Sequence, residues 1–555
     1  MKTFMIFLML CLSCTVISAQ DFDVHGIVVD EKGEPIPYAA IVEEALLRGT
    51  YTGEDGRFRF QLPKGRHTVT VIYTGYCTER RTVDVGRKTD TLVFEMKEET
   101  LMMDKVVVTA KSVDSKNGTS AYRVDNQAIQ QIQAMSLNDI MSLLPGGKIE
   151  APDFNSAQQA NIRSAVTSSY NSFGTSVIVN GMALSNDANM QAANPSTGFG
   201  GGGSTVGGGI DLRSISAAGI QSVEVITGVP SAKYGNLASG AIIVESKVGT
   251  SPLYVSANVN ATSYQGAVSK GFLLGRKGGV MNADLSYTYS QDSPVQRKNY
   301  YQNISFGARW MKQVSRKLDW NNTVSLQTYF GFNGQRFEPE EKIRNVSELN
   351  NQNINLSITG NMTFKKAGIL TYSLSGGIDN QYSHNKTAEA GPLPLVEALE
   401  TGTYITGYSP ILFNAEQIMK GLPVNFSANV DMSKGVRKDR MSWNFMTGIQ
   451  YTFDKNFGEG RSIVGSVASA GGGIGARDAN FYEVPASNTL SAYHETSMFY
   501  DGEIAAPRLR LGVRYDFMNF RYHLVAPRLS ASVKLIERLR LRASWGLAYK
   551  APAMI

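Results

Sequence analysis

Cysteine is scarce in this sequence, and histidine nearly so. Three cysteines occur in 555 residues, and two of them, Cys11 and Cys14, lie in an apolar leader. Only Cys77 lies beyond it, so the mature chain is expected to hold no internal disulfide and no thiolate metal cluster. The five histidines (His25, His67, His384, His494 and His523) are scattered. His25 and His67 fall on expected strands with no paired carboxylate at metal spacing, and both read as structural. No nucleophile–base–acid set is written either, so no catalytic residue, metal or other cofactor is expected. Mean hydropathy is −0.17 and hydrophobic residues make up 42%, which excludes a bundle of membrane helices. Charge of one sign is lacking too. A formal +6 with no basic cluster interleaved with aromatics argues against nucleic acid as partner.

Glycine (54 residues) and aromatics (10%) are abundant, as in a β-rich protein with many turns. At this length more than one domain is expected. Met1–Ala19 has the physics of a signal peptide: Lys2, the short apolar run Phe4–Leu12, and the small-residue site Ser18-Ala19-Gln20. A lipoprotein site at Cys14 and a retained anchor are the rival readings of the leader.

Asp23–Met96 reads as a small β-sandwich, with strands at Asp23–Asp30, Ala39–Glu43, Arg57–Leu62, His67–Tyr73, Arg80–Val85 and Thr91–Glu95. The turns Glu31-Lys32-Gly33, Glu54-Asp55-Gly56 and Pro63-Lys64-Gly65 separate them. Lys97–Lys111 is a linker carrying the β-branched run Lys105-Val106-Val107-Val108-Thr109-Ala110, a segment suited to joining a partner's sheet edge. The rival reading is a strand that pairs within the next domain. Ser136–Leu144 is an amphipathic helix capped by Ser136 and stopped at Pro145. Strands follow at Asn161–Ser164 and at Val177–Asn180, the second ending in the Asn180-Gly181 turn. Asn186–Gly209 is rich in Gly, Asn and Ser, but no Lys-Ser/Thr follows Gly200–Gly203, so it reads as an outward-facing loop and not as a phosphate cradle.

The densest stretch is Asp211–Gly249. It holds two strands, Gln221–Thr227 and Gly240–Ser246, joined through Gly228-Val229-Pro230 and a run of small residues. Pro230 has no N–H to give a ladder, which ends the first strand there. Ser222-Val223-Glu224-Val225-Ile226, Gly228-Val229-Pro230-Ser231-Ala232, Tyr234-Gly235 and Gly240-Ala241-Ile242-Ile243 resemble the end of the plug domain of TonB-dependent outer-membrane receptors. Arg163, Asn180 and Gly181 also match plug positions, with mild departures at Ser164 and Asn180. The resemblance implies that Arg163, Asn180, Gly181, Glu224, Gly228, Tyr234, Gly235 and Gly240 form the plug core. It makes Lys105–Ala110 a candidate TonB box. The N-terminal sandwich, with Gly26-Ile27-Val28, Asp55-Gly56 and Gly75-Tyr76, resembles the carboxypeptidase-regulatory-like domain of Bacteroidetes-type receptors.

From Ser251 onward, long alternating segments succeed one another, thirteen in all. In the last, Leu539, Leu541, Ala543, Trp545 and Leu547 face one way, and Arg538, Arg540 and Arg542 the other. Several arginines on one strand face do not fit a dry core, but they fit a wet lumen whose outer face meets lipid. Short turns such as Arg276-Lys277-Gly278 contrast with long connections at Gly331–Gln352, Ser383–Pro423 and Asp454–Ala492. Leu511–Asp516, Val525–Leu529 and Ala543-Ser544-Trp545-Gly546 resemble a barrel signature of the same receptors. Family barrels belong to the plugged class of about twenty-two strands, so thirteen imply a partial antiparallel transmembrane β-barrel and a C-terminally truncated chain. The expected fold class is therefore mainly β: an N-terminal β-sandwich, an α+β plug and a partial barrel. The expected divisions are signal peptide 1–19, sandwich 20–97, linker 98–111, plug 112–249 and barrel 250–555.

The resemblance implies active uptake of a scarce ligand across the outer membrane, with the sandwich in the periplasm and TonB, with its ExbB/ExbD-type complex, as energising partner. Thr227-Gly228-Val229-Pro230 stands where glycan importers usually show Lys-Asp-Ala, which tilts the ligand toward a siderophore type. The alternatives are a glycan or peptide importer working with a lipoprotein lid, a non-transporting adhesin and a secreted sandwich protein. Loop aromatics such as Tyr404, Tyr408 and Phe413 suit sugar stacking, but aromatics in loops are more often structural or interfacial, so no ligand-contacting residue is assigned.

Overall fold

The computed structural model describes residues 21–97, 111–144, 154, 162, 174–185 and 210–550. Within these, positions 44–45, 47, 74–75, 87–90, 115–119, 238, 276–277, 292–297, 316–317, 336–345, 365–366, 391–393, 401–402, 409–411, 439, 465–477, 479, 501, 503–505 and 537–538 are excepted.

The N-terminal unit is a two-sheet sandwich. Strands β1 (Asp21–Asp30), β4 (Arg57–Pro63) and β7 (Leu92–Met96) form one sheet, in the order β4-β1-β7. Strands β2 (Ala40–Glu43), β3 (Arg48–Tyr51), β5 (Gly65–Ile72) and β6 (Glu79–Val85) form the other, in the order β3-β2-β5-β6. Alternation supplies the core: Val24, Val28, Phe58, Phe60, Leu62, Val69, Val71 and Phe94 are all buried between the sheets. Four-residue β3 lacks a readable alternation and was not expected. His67 is structural, as expected, yet it does have a paired carboxylate. Its Nδ1 lies 3.1 Å from Glu43 Oε1, and its Nε2 donates to the Pro63 carbonyl at 2.8 Å. Cross-strand pairing of β2 with β5 brings the two together, which linear spacing cannot reveal.

The plug is a six-stranded sheet with two short helices. Strands β8 (Lys111–Asp114), β9 (Ser120–Asp125), β10 (Thr175–Val179), β11 (Met182–Ala183), β12 (Ile220–Ile226) and β13 (Gly240–Ser246) run in the order β11-β10-β13-β12-β9-β8. Helices α1 (Asn126–Gln131) and α2 (Leu137–Met141) pack Ala128, Ile129, Leu137 and Ile140 onto Val177, Val223, Val225, Ile242 and Val244. The expected helix is thus present but shorter. The Asp139 carboxylate accepts from the Ser136 and Met135 N–H groups, both at 2.9 Å, and fixes its start. Helix α1 and strand β9 were not expected. Of the strand expected at Asn161–Ser164, only Ile162 is described; it carries no strand and packs into the plug core.

The third unit is one antiparallel sheet whose path holds the thirteen expected strands. They are β14 (Tyr254–Val259), β15 (Ser263–Leu273), β16 (Val280–Ser290), β17 (Asn299–Ser315), β18 (Trp320–Gln335), β19 (Val346–Phe364) and β20 (Gly368–Ala390), then β24 (Pro423–Lys438), β25 (Met441–Asn456), β27 (Ser487–Tyr500), β28 (Ala506–Met518), β29 (Tyr522–Ile536) and β30 (Leu539–Gly546). The expected long loops are partly strand. Strands β18, β19 and β20 run on into them, β21 (Pro394–Glu400) and β22 (Thr403–Tyr408) form a separate hairpin, and β23 (Leu412–Gly421) and β26 (Gly460–Val464) extend the wall beside β20. Connections 274–279, 316–319, 365–367, 439–440, 501–505 and 537–538 are short and share one end of the sheet. At the other end, connections 291–298, 336–345, 391–422 and 457–486 are longer, while 260–262 and 519–521 are three residues each.

Burial in this sheet is inverted. Ser263, Gln265, Ser269, Asn282, Ser286, Thr288, Asn303, Ser325 and Ser357 are buried, whereas Val268, Leu285, Tyr287, Ile304, Ile354, Leu374, Val430 and Ile449 are exposed. A water-facing surface of this kind is unfavourable, whereas a surface of acyl chains suits it. The polar face instead surrounds the plug. Among the described residues no helix is long and apolar enough to cross a membrane.

Candidate functional site

The described members of the expected plug core fall around one place, the β12–β13 unit and the turns beside it. Asn180 adopts φ 51° and Gly181 φ 82°, the left-handed pair that a two-residue hairpin turn needs. Asn180 also clamps β13, donating from Nδ2 to Ser246 Oγ and accepting from the Ser246 N–H, both at 2.9 Å. Glu224 lies on β12, opposite Ile243 and Arg123. Gly240 opens β13 where a Cβ would stand 2.5 Å from the Ile226 carbonyl oxygen, so only glycine lets the strands close. Tyr234 packs beside Ile178, Ile226 and Leu237. Burial, then the charge of Glu224, push its phenol well above the usual range. Arg163 and the candidate box Lys105–Ala110 lie outside the described residues; the chain next appears as β8, paired on β9.

Gly228 and Gly235 bracket the segment that meets the barrel wall. Arg510 donates to the Val229 carbonyl at 2.6 Å. Arg528 donates to the carbonyls of Pro230 and Ser231. Arg514 donates to the carbonyls of Ala232, at 3.3 Å, and Lys233, at 2.8 Å. In return the Ala232 N–H donates to Glu495 Oε2 at 2.8 Å, and Lys233 Nζ pairs with Asp431 at 2.8 Å. Three guanidiniums, two carboxylates and one short plug segment thus make a latch, seated on inward positions of β24, β27, β28 and β29. Arg514 is held in turn by Asp516, Gln450 and Ser491. Gly235 leaves room for it, since a Cβ there would stand 2.5 Å from Arg514 Nε.

Further anchors hold the plug elsewhere, two of them through arginines. Arg309 donates to the Ser246 carbonyl at 2.6 Å. Arg213, within the plug, pairs with Asp211 and lies 4.5 Å over the Tyr301 ring of the wall. Burial works against the Arg213 charge, but Asp211 beside it outweighs that, so its proton is held more tightly than usual.

Sequence reasoning missed the latch residues Arg510, Arg514, Arg528 and Glu495. The parity of Arg510, Arg514 and Asp516 on one strand face was there to be read. Their partners were not, because most are backbone carbonyls.

Hydrogen bonds to charged groups contribute about 1.5–3 kcal/mol each. Because the wall is polar, breaking them exposes no large apolar surface, so the latch is firm but reversible. Above it, a cavity of about 120 Å³ separates the plug turns at Gly181–Ser185 and Tyr234–Asn236 from wall residues including Ser375, Asn425, Gln450, Thr452 and Thr489. Its lining is rich in hydroxyls and amides and also holds Lys233, Asp454, Arg514, Asp516 and Lys550. No group of three or more His, Cys, Asp or Glu side chains among the described residues is placed to hold a metal ion.

Three family models match the chain. A CarboxypepD_reg-like domain covers residues 24–108, a TonB-dependent Receptor Plug Domain covers 114–242, and a TonB dependent receptor-like beta-barrel covers 245–555, just over half of the 555 residues. The TonB-dependent receptor SusC of Bacteroides thetaiotaomicron is 26% identical over 257 residues, which make up 45% of this chain and 23% of SusC. A mutant ferric enterobactin receptor from Pseudomonas aeruginosa, solved with enterobactin, superposes with a TM-score of 0.50 at 16% identity, over 78% of this chain and 63% of that one. The siderophore receptor PirA from Acinetobacter baumannii gives 0.51 at 15%, over 81% and 63%. The match therefore spans under a quarter of the curated relative and under two-thirds of either solved chain, and the two structural likenesses are likenesses of fold.

Proposed function

Because the chain belongs to the TonB-dependent receptor family, a family of receptors and not of enzymes, we propose that it is the outer-membrane component of an energised importer, with its N-terminal sandwich in the periplasm. The observation that carries this reading is the latch, a plug segment fastened to the inner wall by bonds that break without exposing an apolar core. Ligand binds above it, on the long-connection side. The energising protein TonB, with its ExbB/ExbD-type complex, takes the β-branched segment Lys105–Ala110 as an added strand and pulls. The plug shifts and the ligand passes. Deleting Lys105–Ala110 tests this: uptake is lost while surface binding of the same ligand persists. Loss of both, or of neither, rejects the reading and favours an adhesin or an unrelated role for the segment.

The missing Lys-Asp-Ala run leans toward a siderophore-type ligand. A second reading, a glycan importer with a lipoprotein lid, draws on the hydroxyls and amides of the cavity. A neutral, hydroxyl-rich ligand would find partners among the cavity's hydroxyls and amides, whereas a ferric siderophore of high negative charge would have to be met by the cavity's cations Lys233, Arg514 and Lys550. Growth tests with ferric enterobactin as sole iron source and with oligosaccharides as sole carbon source separate the two.

A further inference from the structure

The N-terminal sandwich is seated on the barrel's rim at the short-turn end, through two groups of contacts. At one, Tyr38 and Tyr51 pack with Val280 at the start of β16, Met311 of β17 and Val248. Beside them Tyr73 Oη lies 2.6 Å from Thr250 Oγ1 and accepts from the Thr250 N–H at 2.9 Å. At the other, Arg48 donates to the Gly435 carbonyl of β24, and Arg437 of the same strand donates to the Arg66 carbonyl at 2.6 Å. Leu46 is buried against Gly435, where a Cβ would stand 3.0 Å from Leu46 Cβ.

The sandwich builds its second contact from within. Glu43 is buried on β2 and accepts from the Leu46 N–H at 2.6 Å with one carboxylate oxygen, while His67 braces the other. Arg48 is steadied by a bond to the Gln61 carbonyl at 2.9 Å. The buried Glu43–His67 pair, which no other part of the function uses, therefore shapes the loop that meets Gly435.

The two groups of contacts are far apart on the rim. Between β17 and β24 lie β18, β19 and β20. Four strand spacings of about 4.8 Å put the contacts about 19 Å apart along the wall. Because that wall curves around the plug, a body touching both places lies across part of the mouth. Short turns mark the periplasmic end in barrels of this kind.

We propose that the sandwich is a strap across the periplasmic mouth, clamped at β16–β17 and at β24, which must lift off at Gly435 before solutes can leave the lumen. This rests on the importer reading. At Gly435 the contacts are two arginine–carbonyl bonds and the single side chain Leu46, so release there is compatible with a modest pull on the tether that follows the domain.

The test is a reversible clamp: Leu46→Cys with Gly435→Cys in a Cys77→Ser background, in the full-length receptor in its own outer membrane. Mild oxidation is expected to cross-link most of the protein, and Arg48→Glu with Arg437→Glu to lower the yield. If the single-cysteine variants react with maleimide but the pair does not cross-link, the docking is wrong. Purified receptor is then placed in a planar bilayer, its plug loosened by urea, with potassium ion as the probe. The oxidised form is expected to conduct less than the reduced form, and thiol reduction to restore the lost conductance. Equal conductance in the two states overturns the strap even if the cross-link forms. Neither arm requires TonB or a ligand, so failure of the importer reading on deletion of Lys105–Ala110 is scored separately.

Discussion

Arg514 is where removing one side chain says most. It is buried, doubly bonded to buried Asp516, and holds two plug carbonyls. Arg514→Ala strands the Asp516 carboxylate, a loss of about 3–5 kcal/mol. Replacing both partners, Arg514→Met with Asp516→Leu, removes that penalty but leaves the segment at Val229–Lys233 unfastened. The single variant should therefore melt well below the parent, and the double close to it, while trypsin cuts after Lys233 faster in both than in the parent. A double variant with parental protection at Lys233 would show that Arg514 stabilises the wall without holding the plug. Asp139 gives a pH signature. Burial pushes its carboxyl above the usual range, and the Ser136 and Met135 N–H groups draw part of that back. With the folded value raised, its contribution is fully present below the unfolded value of about 3.9 and is lost as pH rises through the folded one. Asp139→Asn keeps an acceptor without the charge, so its melting temperature relative to the parent should rise as pH is raised above about 4. Asp139→Ala, which loses the cap, should cost about 1 kcal/mol.

Elements were legible in proportion to how strongly one face differed from the other. The thirteen wall strands were readable because lipid-facing side chains alternate with polar ones along each. Their extensions were not, since beyond the membrane both faces turn polar: Asn350, Asn351 and Gln352 sit in the part of β19 that read as loop. Helix α1 offers only Ala128 and Ile129 to the core, too little for a helical period to emerge. The Asn180-Gly181 turn and the β12–β13 pair were legible because backbone geometry demands those residues. Glycine at 240 makes that demand testable. A methyl group there meets the Ile226 carbonyl, a backbone atom that cannot rotate away. Gly240→Ala should destabilise the plug sheet by about 1–3 kcal/mol, seen as faster amide exchange in β12 and β13 with the barrel's exchange unchanged. Exchange at the parental rate would mean that the two strands separate without cost.

For the molecule as a whole, the governing fact is that the large sheet carries its apolar side outward and its polar side around another domain. Adjacent residues on one strand therefore serve opposite ends. Leu285 is 51% exposed and lies in register with Val268 and Phe306, so three neighbouring strands present one apolar band. Ser286, the next residue, is buried and bonds to Ser216 of the plug at 2.9 Å. Leu285→Arg places a charge among acyl chains, at a cost of about 2–4 kcal/mol near the bilayer midplane. It should reduce the fraction of chains that reach the compact, heat-modifiable barrel form on a gel. Ser286→Leu should leave that fraction unchanged, because the wall does not depend on the lost hydroxyl. It should instead unseat the plug locally, so that cells become more permeable to a bulky antibiotic normally kept out. If the two phenotypes were exchanged, the sheet would have to be turned inside out: a soluble wall with an apolar interior, in which no plug, latch or strap of the kind described has a place.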